Sequence, residues 1–304
     1  MITPSSLQEG DRVAVVAPSG CVDAEKTADG IDLLRRWGLE PVPGKHLWDR
    51  YGSFAGDDNA RLSDLAGFLE DASIKAVFAA RGGYGAARLL PALSRITPSH
   101  PKWLIGFSDI TALHSFSQSI WRWKTIHGPL LSGYRPHSPF SETDFESLRR
   151  ILFGLEVSCR FPVHEKSRLA ALSGEFTGGN LSVLYSLRGT PYEQNPLGKI
   201  LLLEDVGEYD YHLDRMLTNL RLGGYFSRLR ALVVGEFSEM KEGNTPFGKN
   251  IQEMILEALE GTKVPVFFGF PSGHGENNHP VILGSRGYFS IQGSSVLFSQ
   301  PGRD

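Results

Sequence analysis

The sequence predicts an α/β protein made of two successive units. Three observations carry this reading. The chain has 304 residues, roughly twice the size of an average domain. Its first half alternates short apolar runs with helical patterns, the mark of a parallel sheet covered by helices on both faces. Its second half keeps strong apolar strands but adds glycine-rich extended pieces, which points to an α/β unit with more antiparallel pairing.

The elements follow in order. Residues 12–17 (RVAVVA) form a buried strand stopped by Pro18, Ser19 and Gly20. Residues 24–37 form a helix with Ile31, Leu33, Leu34 and Trp37 apolar and Gly38 as its stop. A short strand covers 40–42. Leu62, Leu65, Phe68 and Leu69 recur at helical spacing over 57–69, with Asp57 or Asp58 as the cap. A strand at 76–80 precedes a helix at 84–93, and a strand at 102–107 (KWLIGF) precedes a helix at 109–117. Beyond residue 157 the pattern is mixed, with Gly174, Gly178 and Gly179, and the boundary between units falls there. We place one unit at 1–157, a linker at 158–178 and a second unit at 179–304. In the second unit helices are expected at 181–187, 209–222 and 247–259. Its strands are expected at 199–204, 231–235 and 264–269, with a closing strand pair at 281–284 and 288–298.

Composition narrows the function. Lys and Arg number 31 against 34 Asp and Glu, a net charge of −3, which argues against a broad nucleic-acid-binding face. Cys21 and Cys159 are the only cysteines, too few for a disulfide framework or a four-cysteine zinc site, and they fit a reducing compartment. The first 20 residues show no basic region followed by a long apolar stretch, and no apolar run approaches the roughly 20 residues that span a bilayer. A cytoplasmic protein with no membrane partner is expected.

Four segments can carry chemistry. Ser108 and Asp109, in IGFSD, sit where a buried strand turns into a helix, at the sheet edge where α/β proteins place ligands. A serine there resembles a nucleophile elbow, although position 110 is Ile and the G-x-S-x-G spelling is absent; both residues also fit as helix N-caps. Arg81-Gly82-Gly83-Tyr84-Gly85 lies between another strand and helix, as an anion-binding loop or as a tight turn, and it is not a dinucleotide fingerprint. Glu204 and Asp205 end the LLL strand, either to cap a helix or to orient a base. His274 lies between two glycines in GFPSGHGENNHP. It suits a general base, or a metal ligand with His279, though their spacing does not match a helical zinc pair. We favour the base. His114, His127 and His212 are read as structural or surface groups. Serine, acid and histidine thus occur at three strand ends. A neutral serine hydroxyl needs a histidine to take its proton, and that histidine needs a carboxylate to hold it.

These segments, together with VAVVAPSG, ARGGYGAARLL, IGFSDITALH, HGP at 127–129, GGNLSVL, LLLEDVGEYDYHLDRML and GFPSGHGENNHPVILG, resemble the LD-carboxypeptidases. That serine peptidase family also contains the microcin C immunity peptidases. The resemblance runs nearly end to end. It implies an N-terminal flavodoxin-like three-layer domain, a C-terminal α/β domain, and an active site between them. It also implies Ser108 as nucleophile, Glu204 as triad acid, His274 as base, and the backbone N–H groups of Gly83 and Asp109 as oxyanion donors. No metal or other cofactor is implied. The reaction implied is release of terminal D-Ala from the murein tetrapeptide, by a homodimer. Arg81, Gly82 and Tyr84 are then candidate substrate contacts. Two alternatives stand beside this one: an aminoacyl-nucleotide hydrolase of the microcin type, which needs an aromatic stacking loop for which residues 180–196 leave little room, and a non-catalytic small-ligand-binding protein.

Overall fold

The computed structural model describes residues 1–302. The first apolar runs become five parallel strands: β1 (Arg12–Val16), β2 (Glu40–Pro43), β3 (Ile74–Ala79), β4 (Trp103–Gly106) and β5 (Thr125–His127), side by side in the order 2-1-3-4-5. This is the doubly wound, flavodoxin-like order, with its switch point between β1 and β3. Side chains alternate across the sheet. Val13, Val15, Phe78 and Ile105 face a core closed by α1 (Ala24–Arg36), while Ala14, Val16, Val77 and Leu104 face one closed by α2 (Asp58–Glu70), α3 (Leu90–Leu93) and α4 (Thr111–Phe116). α5 (Pro139–Leu152) joins the first layer through Phe145, Leu148 and Ile151.

The second sheet has seven strands. β6 (Val157–Pro162), β7 (Leu172–Asn180), β8 (Ile200–Val206), β9 (Ala231–Ser238) and β10 (Val266–Phe268) are followed, after a crossing described below, by β12 (Arg286–Gln292) and β13 (Ser295–Gln300). The spatial order is 10-9-8-7-12-13-6. The run from β10 to β7 is parallel, and the three pairings from β7 through β12 and β13 to β6 are antiparallel. In β8, Leu201 and Leu203 pack on α6 (Leu181–Ser186), α7 (Asp210–Leu222) and α8 (Ile251–Ala258), while Ile200 and Leu202 meet a phenylalanine-rich core on the opposite face.

Several expectations meet a different outcome. Residues 158–178, read as a linker, carry most of β6 and β7. Val157 and Phe161 point inward while Ser158 and Arg160 are exposed, and this alternation is a weaker sequence signal than a continuous apolar run. The strand pair expected at the C-terminus is split. β11 (Val281–Leu283) leaves the second unit and adds antiparallel to β5 at the edge of the first sheet, while β12 and β13 pair with each other around Gly293. The helix expected over 84–93 is a 3-10 turn at Ala86–Leu89 followed by the single turn of α3, because Gly85 takes φ +131° and Pro91 removes an N–H donor. The helix expected from residue 247 starts later, where Asn250 and Glu253 form a capping box, since Gly248 holds φ +81°.

Candidate active site

Ser108 stands just beyond β4 and begins a 3-10 turn, Ser108–Ile110, that runs into α4. Its φ is +63°, a left-handed conformation that a non-glycine residue rarely adopts. Such strain is found at turns that push a reactive side chain out of the sheet edge. The Gly82–Gly83 loop, at the end of β3, lies against this turn. A Cβ on Gly82 would sit 2.9 Å from Ser108 Cβ and 3.1 Å from its Oγ, so only glycine fits there. The loop is fastened behind by a hydrogen bond from Gly20 N to Gly82 O (2.9 Å). The buried Asp109 carboxylate accepts from Ser19 Oγ (2.6 Å) and Ala86 N (2.8 Å), tying the ends of β1, β3 and β4 together. Burial pushes the Asp109 pKa up, and these hydrogen bonds oppose the shift. Among the described residues, no hydrogen bond takes up the N–H of Gly83 or of Asp109. Arg81 and Tyr84 are exposed; Arg81 Nη1 donates to Cys21 O (2.5 Å), and Tyr84 leans on Phe54.

The second unit supplies a buried carboxylate and a histidine. Glu204, fully buried in β8, presents Oε2 to His274 Nδ1 at 2.6 Å, while its Oε1 has no hydrogen-bond partner among the described residues. Gly273 lets this pair close, since a Cβ there would lie 3.0 Å from Glu204 Cβ. Asp205, one residue on, points to the other face. It accepts from Asn180 Nδ2 (2.9 Å) and Ser182 N (2.8 Å) at the start of α6, and burial raises its pKa to about 6, with Glu204 adding to the shift. Of the two readings open for this acid pair, each carboxylate therefore takes one: Glu204 holds a histidine and Asp205 a helix end.

The units meet where Phe107, beside Ser108, lies against the His274 ring, with centroids 4.5 Å apart. No hydrogen bond joins Ser108 Oγ to His274 among the described residues; such bonds often tighten only with substrate in place. A cavity of about 270 Å³ opens beside His274, walled by Phe107, Leu130 and Phe145 and carrying Asp144, Glu276 and Asn278. The sequence reading missed Asp144; it stands in no strand-end pattern, and only folding brings α5 to the loop after β10. His127 is wholly buried and keeps its neutral form, because burial and the neighbouring His114 and His274 push its pKa well down. His114 donates Nε2–H to Gly106 O (2.8 Å), and His212 pairs with Glu208. His279 packs near the Phe270 and Phe298 rings, and burial lowers its pKa to about 4. Among the described residues, no cluster of three metal-binding side chains occurs and no helix is long and apolar enough to cross a membrane.

The LD-carboxypeptidase N-terminal domain matches residues 13–128, and the LD-carboxypeptidase C-terminal domain matches 173–288. The murein tetrapeptide carboxypeptidase of Pseudomonas aeruginosa is 33% identical over 279 residues, covering 88% of this chain and 89% of its own. The crystal structure of muramoyltetrapeptide carboxypeptidase from Oxalobacter formigenes superposes with a TM-score of 0.82 at 26% identity, over 95% of this chain and 98% of its own. A structure of the microcin C7 self-immunity protein in complex with aspartyl sulfamoyl adenosine superposes at 0.86 over both whole chains, and at 20% identity it speaks for the fold alone. With both domain models matched in order along a chain of two α/β units, this protein belongs to the LD-carboxypeptidase family of S66 peptidases.

Proposed function

We propose that this protein is a serine carboxypeptidase that cleaves an L,D-peptide bond and releases terminal D-Ala from the murein tetrapeptide. The observation that carries the reading is the Glu204–His274 pair at 2.6 Å, set beside a strained serine turn. Glu204 accepts from His274 Nδ1–H, which leaves Nε2 as the basic nitrogen. Nε2 takes the proton of Ser108 as Oγ attacks the carbonyl of the L-residue. The N–H groups of Gly83 and Asp109 receive the oxyanion, and His274 then protonates the departing D-Ala amine. Water, activated by the same histidine, cleaves the acyl-enzyme. Arg81, exposed at the loop beside Ser108, is a candidate for the terminal carboxylate, with Gly82 and Tyr84 near it. In this reading the enzyme acts in the cytoplasm as a homodimer, on a small peptide and without a cofactor. Residues 1–157 would supply the nucleophile and 179–304 the acid and base.

The strained serine and the paired Glu204 and His274 weigh against a purely ligand-binding role. A nucleotide substrate would call for an aromatic stacking loop, and residues 180–196 leave little room for one before the strand that carries Glu204. The test offers the purified protein three substrates: the L,D-tetrapeptide, its all-L counterpart and an aminoacyl sulfamoyl nucleotide. Mass spectrometry follows the products. Release of D-Ala from the first alone is expected. Cleavage of the nucleotide alone would replace this reading with the immunity function.

A further inference from the structure

Arg61, on α2, lies under the loops at the edge of the first sheet, and the reaction proposed above does not use it. Its side chain is 0% exposed. Nη1 donates to Pro18 O at 2.5 Å, just past β1, and Nη2 pairs with Asp58 one turn back on α2. The guanidinium carbon stands 5.0 Å from the centre of the Phe54 ring, in the turn closed by Tyr51 and Phe54. A Cβ on Gly85 would sit 2.6 Å from Nη1, so the loop after β3 rests directly on the cation. Nε has no hydrogen-bond partner among the described residues. A buried charge short of one partner costs stability, and apolar side chains of similar volume often replace such groups without loss. Packing alone therefore does not explain an arginine here.

The loop that rests on Arg61 carries Gly83, one of the two proposed oxyanion donors. In front, Ser108 leaves no room for a Cβ on Gly82; from the β1 side, Gly20 Cα lies 3.2 Å from where a Cβ on Gly83 would stand. Behind, Arg61 meets Gly85, while Ala86 N donates to the Asp109 carboxylate at 2.8 Å. The N–H of Asp109 is the other proposed donor. Its buried carboxylate stands one residue from Ser108, where a negative charge would oppose a developing oxyanion, and the Arg61 charge acts on it in the opposite sense. We propose that Arg61 is a positioning residue for the oxyanion hole: from beneath, it fixes the Gly83 loop against the Ser108 turn and offsets the Asp109 charge beside the site. It touches no substrate. The inference rests on the serine mechanism proposed above and not on the identity of the peptide cleaved.

The test compares wild type with Arg61→Met, which keeps an unbranched stem and removes the charge, and with Arg61→Lys, which keeps the charge but not the planar fork. A fluorophosphonate that labels Ser108 counts the reactive sites, so that rates are expressed per site. Two are read: kcat and KM for D-Ala release from the murein tetrapeptide, and the rate constant of phosphonylation, whose transition state also places a negative oxygen in the hole. A misplaced donor costs about 10- to 100-fold. Arg61→Met should lose that much in kcat per site and in phosphonylation rate, with KM within about threefold of wild type, and Arg61→Lys should recover part of both. A merely structural role would lower the number of reactive sites and the urea midpoint while each site kept its rate, and that result in Arg61→Met would overturn the proposal. So would a KM that rises as far as kcat falls. Should Arg61→Met not fold, Arg61→Lys decides alone, and a rate per site equal to wild type contradicts the positioning role. Wild type that is phosphonylated but releases no D-Ala would remove the carboxypeptidase reading, and the phosphonylation rates would still decide on Arg61. Wild type inert to both would remove the serine mechanism, and this inference with it.

Discussion

At the residue scale, Ser108 and Asp144 each hold a conformation or a charge state that folding alone disfavours. Ser108 sits at φ +63°, where a Cβ is strained and glycine is not. Replacing Ser108 by Gly should therefore raise stability by about 1 kcal/mol, a gain of roughly 2 °C in Tm for a chain this long, while abolishing D-Ala release. A lower Tm in calorimetry would contradict the strain. Asp144 behaves as a buried acid whose pKa is raised from 3.8 to about 6 by desolvation, with the Asn278 N–H only partly opposing the shift. The folded state therefore keeps a proton that the unfolded chain releases near pH 4. The stability so gained is full below pH 4 and is lost as pH rises through about 6. Asp144→Asn escapes that loss. It should be more stable than wild type at pH 8, by on the order of 1–3 kcal/mol, and equal to it at pH 4. Urea titrations at the two pH values read this directly, and a variant destabilised equally at both would refute it. Ser108, Glu204 and His274 were legible in the sequence because reactive residue types stood at the ends of apolar strands or in a loop with nothing to pack. Asp144 was not, since its burial arises from an approach between segments 134 residues apart.

At the scale of elements, β8 shows how one strand end serves two purposes. Successive side chains face opposite ways, so Glu204 reaches His274 while Asp205 reaches the start of α6. Asn180 joins the two parts: its Oδ1 caps α6 by accepting from Val183 N (3.2 Å), and its Nδ2 donates to Asp205. Asn180→Ala should lose the cap and one donor to a buried carboxylate, about 1–3 kcal/mol, seen as a lower urea midpoint. An unchanged midpoint would mean that water replaces both bonds. Strands with continuous apolar runs, such as β1 and β8, could be read from sequence because burial on both faces leaves no polar interruption. The shortened helices after Gly85 and Gly248 could not be read as well, because their starts depend on left-handed glycines within an otherwise helical pattern.

At the scale of the whole molecule, β11 binds the two units. Its three residues pair with β5, so the C-terminal half completes the sheet that carries Ser108. The loop before β11 brings His274 and Asn278 to that sheet, which makes the candidate active site and the junction between units one structure. The sequence showed the apolar run at 281–284 but not its sheet, since nothing local distinguishes a strand that stays from one that crosses. A fragment of residues 1–157 would lack β11 and expose the edge of β5. It should aggregate or fail to unfold cooperatively, as size exclusion and circular dichroism would reveal. A soluble, cooperative fragment would show that the first unit needs no partner strand.

The central claim is that Ser108, activated by His274 and Glu204, breaks the bond to D-Ala. The most direct measurement is kcat for D-Ala release from the murein tetrapeptide by wild type and by Ser108→Ala, each confirmed folded. Removing a serine nucleophile of this kind lowers kcat by about 10⁴-fold or more. Loss on that scale is the predicted result. A variant that retained activity within tenfold of wild type would show that the bond is broken by another group.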